Sequence, residues 1–299
     1  MKILALLDYI RIIRPPNVIM VTSMVITGIW YSDPNFIWWK YIFASLVPIT
    51  YIGIAMVHND LEDLELDKIN APHRPLPSGR MSLKAAKLYA ISLFIIGTTA
   101  GLWFGSGAII IMFSTLVLSL LYNSKLKKTG FIGNIAVGIT ATSAFLYGDV
   151  VASGWKHFWP PSVWSPSIYL FYISAILNTS REVVKGIMDV TGDKLHDVKT
   201  IAVKYGKEKA AKIAILLVAL AILIATVPLF TSTFGPIFVF AVLSFILLLL
   251  KTGIPLLRNP NYDTAKKFKN MLLPNMFLSL MLVTLDVIVS KYSDLYNNL

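Results

Sequence analysis

Stretches without a single Lys, Arg, Asp or Glu divide the chain at 15–32, 41–57, 88–122, 131–148, 157–180, 213–250 and 270–285. A membrane-spanning helix needs about 20 consecutive, mostly apolar residues. Two of these stretches are too long for one crossing. Residues 213–250, taken as one helix, would reach roughly 57 Å against a hydrocarbon core of about 30 Å. Turn chemistry breaks that stretch at Thr231-Ser232-Thr233-Phe234-Gly235-Pro236, and breaks 88–122 at Gly105-Ser106-Gly107. The pattern predicts nine spans, at 15–32, 38–58, 84–104, 108–122, 131–152, 167–188, 209–229, 235–254 and 270–290. The first apolar stretch follows Arg11 and Arg14, is long, and shows no small-residue cleavage site. It reads as the first span and not as a signal peptide. The fold class expected is all-α, a polytopic bundle of nine transmembrane helices.

Charge placement supports this reading. With nine spans, the N-terminus and the loops at 59–83, 123–130, 189–208 and 255–269 share one side. That side holds 24 of the 27 Lys and Arg residues, leaving Lys40, Lys156 and Lys291 on the other. The positive-inside rule makes the basic side cytoplasmic and puts the C-terminus outside, in a multi-pass protein of the cell membrane. Composition agrees. Of 299 residues 56% are hydrophobic and 14% charged, against about 25% charged in a soluble domain, and the mean hydropathy is +0.68. A soluble enzyme, a disordered chain and a nucleic-acid-binding domain are excluded on these grounds. The net charge of +11 is therefore a matter of topology. Cysteine is absent, so there is no thiol nucleophile and no cysteine metal site.

The acids are the informative minority. Twelve of the 16 lie on the cytoplasmic side, in two main groups. The first, Asn59-Asp60-Leu61-Glu62-Asp63-Leu64-Glu65-Leu66-Asp67, ends span two. If helical, it places Asp60, Asp63 and Asp67 on one face. The second, Asp189-Val-Thr-Gly-Asp193-Lys-Leu-His-Asp197, ends span six, with its three Asp residues at i, i+4 and i+8. Carboxylates stacked in this way repel each other and call for a cation. Hard oxygen ligands suit Mg²⁺, which takes one or two carboxylates together with substrate phosphates. One such run reads equally well as a solvated, salt-bridged loop; two matching runs favour a magnesium–diphosphate site. The runs also match as a repeat. Asp63-x-x-x-Asp67-Lys68 recurs 126 positions later as Asp189-x-x-x-Asp193-Lys194. Lys-Ala-Ala-Lys at 84–87 recurs 125 positions later, at 209–212. Duplication of a helical unit, as in other polytopic folds, would set the two acidic groups across a shared cavity.

Basic groups complete a diphosphate site. Arg74 and Arg80 follow the first run; Tyr122, Lys125, Lys127 and Lys128 follow span four; Arg181 and Lys185 flank Glu182 late in span six, where charge is costly. Such cations stabilise a departing diphosphate.

Asn59-Asp60-x-x-Asp63-x-x-x-Asp67, Asp189-x-x-x-Asp193 and the nine spans together resemble the UbiA superfamily of intramembrane prenyltransferases. The resemblance implies one domain over 1–299, with a central cavity open sideways to the bilayer. It also implies two Asp motifs that hold Mg²⁺ and an isoprenyl diphosphate. Tyr122-Asn-Ser-Lys125-Leu-Lys127 matches the family's Tyr-Lys element with altered spacing, which leaves both lysines as candidates. Arg14-Pro15-Pro16-Asn17 resembles the family's first-helix entry, with Asn17 toward the cavity. The run from Asn178 to Asp193, with Arg181-Glu182-Val-Val-Lys185, is similar to members that add a geranylgeranyl group to geranylgeranylglyceryl phosphate. These members form the second ether bond of archaeal-type lipids. The partners implied are a prenyl diphosphate donor, a lipid-phosphate acceptor and the bilayer, with no nucleic acid.

The chemistry would be ionisation of an allylic C–O bond, with the cation kept dry and faced by aromatic rings such as Tyr9, Tyr51, Tyr147 and Tyr172. No general base stands out among His58, His73 and His196. Two other readings are an aromatic prenyltransferase of the same fold and a cation-coupled transporter. The transporter is disfavoured because transporter acids lie near the midplane, and here only Asp149 and Asp286 lie in or near spans away from the cytoplasmic side.

Overall fold

The computed structural model of the protein describes residues 2–33, 35, 37–158, 165–195, 198–231 and 233–297. Among these residues every regular element is helical. In chain order they are α1 (Lys2–Ile12), α2 (Pro15–Ser32), α3 (Trp38–Glu62), α4 (Leu64–Asn70), α5 (Leu83–Trp103) and α6 (Ser106–Ser124). A 3₁₀ turn follows at Leu126–Lys128, then α7 (Phe131–Thr142), α8 (Ala144–Ser153), α9 (Pro166–Met188), α10 (Val190–Leu195) and α11 (Ile201–Tyr205). The last are α12 (Lys207–Phe230), α13 (Phe238–Leu248), a π turn at Leu249–Gly253, α14 (Ile254–Arg258) and α15 (Tyr262–Asn297).

Six helices are long and apolar enough to cross a membrane: α3, α5, α6, α12, the α13–α14 stretch and α15. The number rises to eight if the pairs α1–α2 and α7–α8 each count as one broken span. The remaining long helix, α9, does not pass on length and composition because its second half carries Asn178, Arg181, Glu182 and Lys185. Two elements depart from the sequence expectation. Residues 2–12, placed on the basic side and given no element from the sequence, form α1. Residues 131–152, read as one span, break at Ser143.

The chain divides into two compact units, Met1–Ser124 with Ser143–His157, and Lys125–Thr142 with Phe158–Leu299. In the first unit α1 meets α2 at a 60° bend. Arg14 makes the corner in a left-handed conformation (φ 56°, ψ 80°), and Pro15 and Pro16 open α2, where missing N–H groups cost no helical bond. Pro48 lies inside α3. It has no N–H to give Ala44 four residues earlier, and the phenol of fully buried Tyr147 on α8 donates to that orphaned carbonyl at 3.0 Å. The helices α2 and α8 approach through glycine. A Cβ on Gly28 would meet the Phe145 carbonyl oxygen at 2.6 Å, and one on Gly148 would meet that of Val25 at 2.5 Å. Small residues are how helices in lipid pack closely. The cluster of Ile12, Val57, Leu76, Met81 and Ala86 ties α1, α3, α5 and the 71–82 segment together.

In the second unit α9 packs between α7 and α12. Ala210, Ala211, Ala214, Val218, Ala221 and Ala225 are buried along α12, and Ser180 of α9 donates to the Ala214 carbonyl at 2.8 Å. The polar stretch Asn178, Thr179 and Ser180 of α9 is buried, while Lys185, two turns past Asn178, is exposed. Asp286 of α15 accepts the backbone N–H groups of Gly235 (2.6 Å) and Ile237 (2.9 Å), fixing the turn before α13.

Replacing Gly28 by Ala forces two backbones apart. A loss of about 1–3 kcal/mol is expected, read as a lower melting temperature in detergent. Gly192, with nothing within 4 Å of its Cβ position, serves as the control, and Gly192→Ala leaves the melting temperature unchanged or raised.

Candidate active site

The first acidic group is built where α3 stops. Asp63 caps that helix (φ −94°, ψ 10°), its N–H donating to the Asn59 carbonyl at 2.9 Å. The chain turns there and resumes as α4, with the Asp67 N–H on the Asp63 carbonyl at 2.8 Å. So Asp60, Asp63 and Asp67 do not ride on one continuous helix as their spacing suggested. A straight helix would have stacked their charges on a single face. The turn instead admits two guanidinium groups. Arg14 Nη2 donates to Asp60 Oδ1 at 2.6 Å and to Asn59 Oδ1 at 3.1 Å. Arg74 Nη1 pairs with Asp67 Oδ2 and lies 3.7 Å from Asp60 Oδ1. Asn59 Nδ2 in turn donates to Asp63 Oδ2 at 3.1 Å. Asp60 is 1% exposed, so the offsetting cation that the sequence demanded is supplied here by protein.

The other residues singled out near this group are placed as follows. Asn17 Nδ2 contacts Met56 Sδ at 3.7 Å, one turn before Asp60 on α3. Arg80 is turned toward α1: its Nε donates to Asp8 Oδ2 at 3.0 Å and its Nη2 to the His73 carbonyl at 2.7 Å. Tyr122 lies half-buried near the end of α6. Its neighbour Asn123, not anticipated from sequence, donates to the Ala55 carbonyl at 3.0 Å and lies 3.4 Å from His58 Nδ1. That contact seats α6 against α3 just before the acidic group. No charge or spacing signal marks an asparagine for this role.

The second acidic group repeats the local geometry. Asp189 caps α9 with φ −98° and ψ 8°, its N–H on the Lys185 carbonyl at 3.1 Å, and the Asp193 N–H donates to the Asp189 carbonyl at 2.8 Å. Asp189 is exposed and Asp193 half-buried. Asp197 and His196 lie outside the described residues. Glu182 binds two cations, Arg181 Nη1 at 3.0 Å and Lys185 Nζ at 3.6 Å. The Arg181 Nε is buried without a hydrogen-bond partner among the described residues. Lys125 precedes the 3₁₀ turn and is exposed; Lys127 lies within it and is half-buried. This turn docks beside the second group. The Val198 N–H donates to the Asp193 carbonyl at 2.8 Å, and the next residue, Lys199, donates its N–H to the Lys128 carbonyl at 3.2 Å. Gly130 (φ +73°) permits the approach, since a Cβ there would strike the Lys199 carbonyl oxygen.

Among the described residues no three His, Asp or Glu side chains gather as a ready metal cage. Mg²⁺ does not need one, because it keeps waters and shares phosphate oxygens. The donor set fits it in kind: Asp60 and Asp67 are hard oxygen ligands that already converge on one positive group, Arg74. Of the aromatic candidates, Tyr9 stacks edge-on with Tyr89 at 5.0 Å, and Tyr51 bonds Thr98 at 3.1 Å. Tyr147 is buried and Tyr172 is exposed. Buried Asp149 holds Ser153 (2.7 Å) and His157 (2.9 Å). Like Asp286 it is committed to local partners, which removes the support for a transport path.

Fold and site together define a polytopic helical membrane protein with two aspartate-capped helix ends set among arginine and lysine. The family model described as the UbiA prenyltransferase family matches residues 20–281, and the chain belongs to that family. It is 36% identical over 228 residues to the digeranylgeranylglyceryl phosphate synthase of Saccharolobus solfataricus, covering 76% of this chain and 79% of the relative. A solved structure concerned with digeranylgeranylglyceryl phosphate synthase in membranes superposes with a TM-score of 0.81 and 31% identity, over 96% of this chain and 99% of that one. At 15% identity, a UbiA homologue from Archaeoglobus fulgidus bound to GPP and Mg²⁺ shares the fold, with a TM-score of 0.66 over 93% of this chain and 99% of that one.

Arg14→Ala strands a buried carboxylate, so a loss of about 1–3 kcal/mol is expected from the hydrogen bonds to a charged group. Asp60→Asn in the same chain removes that charge and recovers most of the stability. Thermal melts of both variants in detergent check this, and a double variant no more stable than Arg14→Ala alone would contradict it.

Proposed function

We propose that this protein transfers a geranylgeranyl group from geranylgeranyl diphosphate to the free hydroxyl of geranylgeranylglyceryl phosphate, forming the second ether bond of an archaeal-type lipid. The observation that carries the reading is the pair of aspartate-capped helix ends, Asp63 and Asp189, which turn the chain with one geometry and present a second Asp four residues on. The relatives of that name, at 36% and 31% identity over most of the chain, support the choice of donor and acceptor.

In this reading Asp60, Asp63, Asp67, Asp189, Asp193 and Asp197, with Asn59, hold the Mg²⁺–diphosphate. When bound, Mg²⁺ supplies Lewis-acid charge to the leaving diphosphate. Tyr122 and one or both of Lys125 and Lys127 steady the departing oxygens. Arg14 and Arg74 hold Asp60 and Asp67 in place. Asn17 lines the approach on α2. Arg181 and Lys185 share a single acid, Glu182, and so retain net positive charge; with the unpartnered Arg181 Nε they receive the phosphate of the acceptor. The apolar bundle excludes water from the allylic cation until the acceptor hydroxyl attacks. The proton of that hydroxyl leaves to a carboxylate or to the released diphosphate.

The same reading makes α9 a ninth span, with Asn178, Thr179 and Ser180 buried in protein. It places the N-terminus and both acidic groups on the cytoplasmic side, with the C-terminus outside, a placement that the distribution of Lys and Arg supports. It takes the whole chain as one domain, built by duplication around 59–87 and 185–212.

The test is a donor and acceptor screen in membranes, with products identified by mass spectrometry. Label from geranylgeranyl diphosphate is expected on the glycerophosphate and not on hydroxybenzoate; the reverse would establish an aromatic prenyltransferase. Asp63→Ala and Asp189→Ala are each expected to hold transfer below about a hundredth of the parent rate while melting normally. Near-parent turnover of both at saturating Mg²⁺ would remove the two-group site.

A further inference from the structure

The contacts of Arg80 give it a role different from that of a phosphate ligand. Asp8 is 2% exposed, and its two oxygens are taken by Arg80 Nε at 3.0 Å and by Arg11 Nη1 at 3.3 Å. Arg80 also donates to the His73 carbonyl at 2.7 Å, next to Arg74 in the chain. One guanidinium therefore closes the 71–82 strap on itself and fastens it to α1. The strap is otherwise self-braced. The Met81 N–H reaches the Pro75 carbonyl at 3.1 Å, and the Ser78 N–H reaches that of Arg74 at 3.1 Å. Leu76 and Met81, each 5% exposed, peg it into the cluster with Ile12, Val57 and Ala86. What the strap delivers is Arg74, on Asp67 and Asp60. Were Arg80 to turn to a substrate, buried Asp8 would lose its nearer guanidinium, and a buried charge left short of partners is costly.

We propose that Asp8 and Arg80 are a positioning pair. Neither touches the diphosphate, and together they hold the strap so that Arg74 stays on the first acidic group. This rests on the reading of that group as the diphosphate site. Arg80, expected from its neighbourhood to bind substrate, then acts through Arg74.

The experiment is a mutant cycle on the full-length protein in detergent, with geranylgeranyl diphosphate as the varied substrate. Asp8→Asn and Arg80→Gln are each expected to raise the half-saturating diphosphate concentration about tenfold, the scale of one charge-assisted hydrogen bond. The change in kcat is expected to stay within about twofold. The Asp8→Asn/Arg80→Gln double variant should match either single, and neither change should add to Arg74→Ala. Arg80→Lys, which keeps the charge opposite Asp8, should recover most of the loss. A readout free of turnover accompanies these. With no substrate present, trypsin should cut the Arg80–Met81 bond about tenfold faster in Asp8→Asn than in the parent, because the freed strap opens more often. Equal losses from Arg80→Gln in the parent, Asp8→Asn and Arg74→Ala backgrounds would make Arg80 a direct ligand and overturn the proposal, as would unchanged tryptic cleavage in Asp8→Asn. A parent protein that transfers no prenyl group from this donor would count against the proposed function instead, and the tryptic comparison would still decide the pair.

Discussion

The burial of Asp60 at the end of an apolar helix is the constraint around which the first half of the molecule is organised. A carboxylate that is 1% exposed has lost most of its hydration, a penalty of several kcal/mol that only well-placed positive charge offsets. Two arginines meet it, from opposite directions along the chain: Arg14 from the corner between α1 and α2, and Arg74 from the strap after α4. Each delivery shapes the backbone. Arg14 occupies a left-handed conformation that a non-glycine residue adopts only at a cost, and the 60° bend at that corner follows from it. Arg74 depends on a strap that is fastened by its own ion pair to buried Asp8. The architecture near the site is thus largely a means of placing two guanidinium groups.

Much of this was legible in the chain. Charge-free stretches locate the long helices, because lipid tolerates little else, though α9 and α15 run eight or more residues past theirs. Two clusters of acids stand out against so bare a background. The need for a cation beside the first group also follows from carboxylate spacing alone. What does not follow is which cation. Arg14, Arg74 and Arg80 are interchangeable as letters. Arg80 is 72 positions from its carboxylate, and only the folded strap decides that it serves Asp8 while Arg74 serves Asp60. Helix α1 is hidden for a similar reason: Lys2, Asp8 and Arg11 keep residues 2–12 out of the charge-free stretches, and the cluster that holds the helix is contributed by α3, α5 and the strap. The break at Asp63 is invisible to helical periodicity, which assumes a straight axis. The bond from Tyr147 to the carbonyl freed by Pro48 joins two features that sequence reading would treat separately.

The two acidic groups share sequence spacing and backbone geometry, yet their electrostatics differ. In the first, Asp60 and Asp67 are already paired with arginine and the strap is braced around them. In the second, Asp189 is exposed, and its helix carries Arg181 and Lys185 against the one carboxylate of Glu182. Two groups alike in this respect would both have their acids taken up by arginine, with no surplus cation for a phosphorylated acceptor. Here the first group is the one already paired with arginine. The second keeps accessible carboxylates and unbalanced positive charge, beside a lysine-bearing turn bonded through Lys128 and Lys199. An enzyme joining two anionic lipids needs both characters, one end that holds its acids in place and one that still has charge to offer. A symmetric pair would give up one of them.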